Sequence, residues 1–296
     1  MYPASFDYLA PTTWEDALAA LAEHGADAKV LAGGCSLIPI LKLRMAEPRV
    51  LIDLGRLGAR DVVDDGNVLR LGAMVRESTI EDPSGPVARR CALLAETSAV
   101  IADPMVRNMG TVGGNLAHAD PANDHPAAML ALGARVIALG PDGTRTIDID
   151  DFFVDLYQTA LEPDELLTEI VVPADGPGIG GAYEKFERQV GDFPIVGVAA
   201  RITVADGVIR EARIGLTNVG PTAIRARTTE AALVGRSPEA SAIAEAAAAA
   251  TDGIEPWNEL RGSAEFKRAV LPTVAERSIR RALERAMAGA GAGGRS

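Results

Sequence analysis

The sequence predicts two domains of mixed α and β structure, and three features point to them. Strand-like and helix-like runs alternate from the N-terminus to Pro173. A glycine-rich break, A-D-G-P-G-I-G-G at 174–181, then changes the composition abruptly. Beyond it three strand-like runs come first and three helices after, the order of a separate α+β domain. With 296 residues, 48% of them hydrophobic, the chain is long enough for two cores. The boundaries read as 1–175, 176–288 and a flexible glycine-rich tail at 289–296.

The elements follow in order. Thr13 caps a helix through Leu21 whose Trp14, Leu18 and Leu21 share one face. K-V-L-A, running into Gly33, is a short strand, and S-L-I-P-I-L-K-L-R from Ser36 opens a helix or turn. Val50 to Leu54 reads as a buried strand, and Val68 to Met74 alternates like a half-buried one. Pro86 to Val100 reads as one amphipathic helix and Asp124 to Leu132 as another. The strands A-R-V-I-A-L, T-I-D-I and Glu165 to Pro173 complete what the alternation marks as an α/β half.

The break itself matches G-x-G-x-x-G at Gly176, Gly178 and Gly181. That fingerprint needs a helix directly after it, whereas A-Y-E-K-F-E-R alternates like a strand, so a linker or hairpin turn is the better reading. Strands are expected at Ala182 to Gln189, Ile195 to Val204 and Val208 to Thr217, as an antiparallel meander. Helices follow near Thr228 to Val234, Pro238 to Ala250 and Ala264 to Ala288.

Composition narrows the function. A formal charge of −12 repels nucleic-acid backbones and anionic membrane surfaces. Two cysteines, Cys35 and Cys91, cannot ligate an iron–sulfur cluster and make no disulfide framework. With no secretory signal and no long apolar run, the chain is expected to be soluble and cytoplasmic.

Two glycine pairs carry the chemistry. A-G-G-C-S at Ala32 to Ser36 follows a strand and opens a turn, where glycine lets backbone N–H groups approach a ligand and form an anion nest. T-V-G-G-N at Thr111 to Asn115 has the same composition: a hydroxyl, Gly113 with Gly114, and an amide. Together they suit a pyrophosphate gripped from two sides; either alone is as well read as a tight turn. Asp124 reads either as a helix N-cap or as a carboxylate for a ribose hydroxyl. His118, Asp120, Asp124 and His125 are spread so that no regular element points them at one metal, and no metal is expected. His24 reads as a surface residue at a helix end. Arg107, Asn108, Lys42 and Arg44 flank the pairs, and for the cations a phosphate contact and an internal ion pair are both open. No nucleophile–base pair stands out, so no catalytic residue is assigned.

A-G-G-C-S-L-I-P-I-L-K-L-R, I-A-D-P-M-V-R-N-M-G-T-V-G-G-N and D-P-A-N-D-H-P together resemble the FAD-binding medium subunit of the molybdenum hydroxylases, the xanthine dehydrogenase family. S-F-D-Y, E-L-L-T-E-I, A-Y-E-K-F-E-R-Q-V-G-D-F and I-G-L-T-N-V extend the likeness over nearly the whole chain, and among subfamilies it is similar to aerobic carbon monoxide dehydrogenase. The resemblance implies an α+β chain: a two-lobed FAD domain of the vanillyl-alcohol-oxidase type, then a three-stranded antiparallel sheet with a helical bundle. It also implies partners in a dimer of heterotrimers. A large subunit would hold a molybdenum–pterin centre, and a small subunit two [2Fe–2S] clusters. FAD on this chain would pass electrons to an acceptor such as a quinone, and the assembly would be cytoplasmic or held at the inner membrane face by partners.

Carried over by position, Ala32, Gly33, Gly34, Cys35, Ser36, Thr111, Gly113, Gly114 and Asn115 would bind the FAD pyrophosphate. Asp124 would meet the ribose or ribityl region, Lys185 would approach the flavin, and Phe193 would cover its ring. Leu37, Ile101 and Leu166 complete the implied cofactor-binding set. Cys35 stands where histidine or glutamine is common, and Phe193 where tyrosine is common, which removes a phenol from the flavin's surroundings.

Overall fold

The computed structural model describes residues 2–292. Its first layer is a small parallel sheet of β1 (Asp7–Leu9), β2 (Ala28–Leu31) and β3 (Val50–Asp53), in the order β1-β3-β2. Helix α1 (Trp14–His24) crosses between β1 and β2, and the Thr13 hydroxyl accepts the Asp16 N–H at 3.1 Å, the cap read from the sequence. It buries Ala17 and Leu21 against Val50, Ile52 and Leu54. Helix α2 (Leu37–Lys42) leaves the turn after β2.

The second sheet is antiparallel and five-stranded, in the order β4-β5-β10-β6-β7. Its strands are β4 (Val62–Asp64), β5 (Val68–Gly72), β6 (Arg135–Gly140), β7 (Gly143–Asp148) and the central β10 (Leu166–Pro173). Strand β10 sets Ile170 against Leu71 on one side and Val136 on the other. A short hairpin, β8 (Phe153–Asp155) with β9 (Gln158–Thr159), precedes it. The single α/β half expected from alternation is thus two lobes, and only the first is parallel. Tight turns join β4 to β5 and β6 to β7, and such short connections permit only antiparallel pairing.

The helices of this half are short: α3 (Glu77–Ile80), α4 (Pro86–Arg90), α5 (Ala92–Ala99), α6 (Pro104–Arg107), α7 (Val112–His118) and α8 (Asp124–Leu132). The one helix expected over Pro86 to Val100 is broken at Cys91, whose φ is −153°. The Ala92 N–H is taken by the Asp175 carboxylate at 3.1 Å, so a residue remote in sequence caps the second piece. Nor is that piece one-sided, since Leu93, Leu94, Thr97 and Ser98 are all buried. Every residue of α8 is buried, and it ends at Gly133 in the left-handed conformation.

The third sheet follows the meander read from the sequence, with a short fourth strand added: β11 (Ile179–Phe186), β12 (Val196–Ala205), β13 (Val208–Thr217) and β14 (Ile224–Arg225). Helices α9 (Arg227–Leu233), α10 (Ala240–Ala248) and α11 (Ala264–Ala292) cover one face. The last runs past position 288, where the tail was expected to begin, and 293–296 lie outside the described residues. The other face of the sheet meets α8, with Tyr183 and Ala199 entering the core of the five-stranded lobe. Ionic contacts reinforce that junction. Asp150 is bound by Arg213, Arg225 and Arg227 at 2.9, 2.9 and 3.2 Å, and Glu96 by Arg281 and Arg285. Among the described residues no helix is long and apolar enough to cross a membrane.

Candidate cofactor site

The fold brings the two glycine loops into contact. A Cβ added to Gly33 would fall 2.8 Å from the Gly110 Cα and 2.9 Å from the Met109 carbonyl carbon, inside contact distance. A Cβ on Gly114 would lie 3.4 Å from the Ala32 Cβ and 2.8 Å from the Thr111 hydroxyl. At Gly33 only side-chain-free backbone permits the approach of the two loops; the Gly114–Ala32 distance is ordinary contact.

In the first loop Gly34 takes φ +77°, and the chain turns into α2 with Ile38 N–H on the Gly34 carbonyl at 3.0 Å. The N–H groups of Gly34, Cys35 and Ser36 make no hydrogen bond among the described residues. Successive unpaired N–H groups around a left-handed residue form an anion-binding concavity.

The second loop is built differently from the sequence expectation of a matching nest. Val112 N–H donates to the Val75 carbonyl and Gly113 N–H to that of Ala73, both at 3.0 Å. Gly114 N–H donates to the Thr111 hydroxyl at 3.2 Å and Asn115 N–H to the Thr111 carbonyl at 2.9 Å. Its backbone donors are spent inside the protein. What it offers are the Thr111 hydroxyl hydrogen and the Asn115 side chain, whose Oδ1 is buried without a partner. Free N–H groups in one loop and an unsatisfied acceptor in the loop it touches fit a ligand that is anionic and carries a hydroxyl. A sugar diphosphate such as that of FAD has both, so the residues present fit this cofactor.

Asp124 is the first residue of α8, and Asn123 holds the cap position without a side-chain cap, so the N-cap reading gives way. The Asp124 carboxylate instead accepts the Tyr183 hydroxyl at 2.6 Å and Lys185 Nζ at 3.1 Å, both from β11. Burial pushes its pKa up, and the Lys185 charge and the Tyr183 bond oppose that. Burial, together with the same carboxylate, pushes the Tyr183 phenol well above its usual range. Lys185 also donates to the Val100 carbonyl at 2.9 Å, which sets the pair beside Ile101.

Phe193 lies on the β11–β12 connection, 41% exposed, with the Arg261 guanidinium 5.2 Å from its ring centroid. Leu166 is buried in the core of the first lobe with Leu54 and Met74, apart from this group.

The residues considered for metal are dispersed. His118 packs on Tyr157 with centroids 5.2 Å apart, and burial lowers its pKa. Asp120 accepts the Ala122 N–H at 2.9 Å. His125 is fully buried with Nε2 2.6 Å from Glu77 Oε2, which also accepts the Ser98 hydroxyl at 2.7 Å. Among the described residues no group of three His, Cys, Asp or Glu side chains could hold a metal ion. Arg107 is bound to Glu81 at 2.7 Å and to the Ile101 carbonyl at 3.0 Å, the internal reading of its two alternatives. Lys42, Arg44 and Asn108 are exposed.

Tyr183, Glu77 and Ser98 were not singled out from the sequence. A signal existed for Tyr183: in Y-E-K the alternation of a strand puts it on the same face as Lys185. Glu77 and Ser98 carried none.

Residues 4–175 match the family described as FAD binding domain in molybdopterin dehydrogenase, and residues 181–283 that described as CO dehydrogenase flavoprotein C-terminal domain. The chain is 42% identical to the carbon monoxide dehydrogenase medium chain of Hydrogenophaga pseudoflava, over 96% of this chain and 99% of that one. It is 38% identical to the 6-hydroxypseudooxynicotine dehydrogenase complex subunit alpha of Paenarthrobacter nicotinovorans, over 97% of each. A solved structure of the Hydrogenophaga pseudoflava carbon monoxide dehydrogenase superposes with a TM-score of 0.94 at 44% identity, covering 96% of this chain and 99% of that one. With both halves matched, the chain belongs to the family of FAD-binding medium subunits of the molybdenum hydroxylases.

Proposed function

We propose that the chain is the FAD-carrying medium subunit of an aerobic carbon monoxide dehydrogenase. It would work in a dimer of heterotrimers with a molybdenum–pterin large subunit and a small subunit bearing two [2Fe–2S] clusters. The division into 1–175 and 176–288 would separate FAD binding from the docked C-terminal domain. The close approach of Gly33 to Met109–Gly110, which joins a loop of free N–H groups to the loop that carries an unsatisfied amide, is the observation that carries the reading.

When bound, FAD accepts and releases electrons one or two at a time, chemistry that belongs to the cofactor. This chain's residues hold and orient it. Gly34, Cys35 and Ser36 would donate N–H groups to the diphosphate, Thr111 its hydroxyl, and Asn115 Oδ1 would accept from a sugar hydroxyl. Asp124 and Lys185, buried and mutually paired, would set the charge beside the flavin with Ile101, while Phe193 would screen it from water. Leu37 and Leu166 would support the loops from behind. Electrons would leave for an external acceptor such as a quinone, in the cytoplasm or at the inner membrane face.

The test is co-expression with both partner subunits. One FAD per heterotrimer is expected, bleached when carbon monoxide is added anaerobically. Bleaching by an aldehyde, purine or other heterocycle instead would assign the chain to a complex of the kind named for its Paenarthrobacter nicotinovorans relative. Turnover by this chain alone would make it a free-standing flavin oxidoreductase.

A further inference from the structure

We propose that Arg76 binds the cofactor's diphosphate as its counter-charge, an inference that rests on the FAD reading and extends it to a residue outside both glycine loops. Arg76 and Thr111 face each other in an isolated antiparallel bridge. Residues paired across such a bridge project their side chains to the same side, with Cβ atoms about 5 Å apart. Arg76 is therefore on the side of the Thr111 hydroxyl, at the second loop. Glu77, next in the chain, turns the other way and is buried against His125 and Ser98.

Arg76 is partly buried, yet its side chain makes no hydrogen bond and no ion pair among the described residues. Every other arginine of comparable or deeper burial there holds a carboxylate or carbonyl, as Arg107 holds Glu81 and Arg201 holds the Ala174 carbonyl. Its guanidinium keeps access to solvent and has all its donors free, so a charged, forked hydrogen bond to an anionic ligand is open to it.

Lys42 and Arg44, the cations that follow the first loop, are exposed. Neither loop contains lysine or arginine, the chain carries −12 overall, and Glu77 and Asp103 both bear on the Cys35 side chain of the first loop. Lys185 and Arg107 are already paired. Backbone N–H groups alone would face a doubly charged diphosphate in a negative surrounding, and Arg76 supplies the missing charge.

The experiment uses the assembled heterotrimer, stripped of flavin and titrated with FAD and separately with riboflavin, which has no phosphate. Arg76→Gln should weaken FAD binding about 10- to 100-fold, the loss of a hydrogen bond to a charged group, and leave riboflavin binding unchanged. Arg76→Lys should recover part of the loss. FAD binding to the parent should weaken with added salt, and Arg76→Gln should flatten that dependence. Equal FAD affinity in Arg76→Gln and a tightly binding parent overturns the role of Arg76 alone. A parent that prefers FAD no more than riboflavin overturns the cofactor reading with it. Should the glutamine variant not assemble, a parent affinity indifferent to salt overturns the proposal.

Discussion

Adding one methyl group at Gly33 tests the central geometry of the site. In Gly33→Ala the new Cβ would sit 2.8 Å from the Gly110 Cα, with the Met109 carbonyl oxygen closer still, and ordinary contact begins at 3.4 Å. The obstacle is backbone, so the loops must part by at least about 0.6 Å. A hydrogen bond of about 2.9 Å bridging a ligand between them would stretch to about 3.5 Å, the limit of such a bond. Losing two bonds to a charged diphosphate costs about 3–6 kcal/mol, a fall in FAD affinity of roughly 100-fold or more. Overpacking should cost the fold itself only about 1–3 kcal/mol, so the complex should still assemble. The assay is FAD content of the purified complex after dialysis, with its thermal unfolding as control. Gly66→Ala is the matched comparison. Gly66 has φ +81° but nothing within 4 Å of an added Cβ, so it should lose some stability and no flavin. Full FAD retention by Gly33→Ala would refute the two-loop clamp.

Three further outcomes are expected. Lys185→Ala leaves the Asp124 carboxylate buried with only Tyr183 as partner and should cost about 3–5 kcal/mol in denaturant unfolding, whereas Lys185→Met with Asp124→Asn should cost less than the single change; equal losses would show the pair is not coupled. Cys91 is fully buried with its thiol pushed up to about 12, so native protein at neutral pH should take an alkylating reagent only at exposed Cys35, and prompt labelling of both would contradict the packing of α5. The Asp150 carboxyl lies below its ordinary 3.8, because burial, which alone would raise it, is outweighed by Arg225, Arg213 and Arg227. A depressed folded-state value means the stability is present above the unfolded value and is lost as pH falls through the folded one. Asp150→Asn should therefore remove part of the acid-induced loss of stability below about pH 4, and an unchanged profile by circular dichroism would show the cluster contributes nothing.

Local signals in the sequence carried far. The Thr13 cap, the meander and the glycine-rich turns were legible because each depends on neighbours a few residues away. The break at Cys91 was not, since the group that caps Ala92 is Asp175, on the far side of β10. The antiparallel second lobe was hidden for the same reason: β10 pairs with strands that precede it by many residues, and alternation does not encode partner or direction. Composition also misled at the second loop. T-V-G-G-N resembles A-G-G-C-S, but hydrogen bonds to Ala73 and Val75 use up its donors, a fact of tertiary placement. Asp124 stood out in the motif around it, while its partner Tyr183 needed the strand's face to be known.

Helix α8 has a consequence for how the chain becomes a protein at all. Ala127 to Leu132 of this helix lie in the core of the five-stranded lobe, and that core also takes in Tyr183 and Ala199 from the other side of the break at 174–181. Neither half can seal its interior while the other is unfolded. The two should therefore melt in one calorimetric transition, and either half made alone would present an open apolar wall. The glycine-rich break is a seam in the chain and not a seam in its cooperativity.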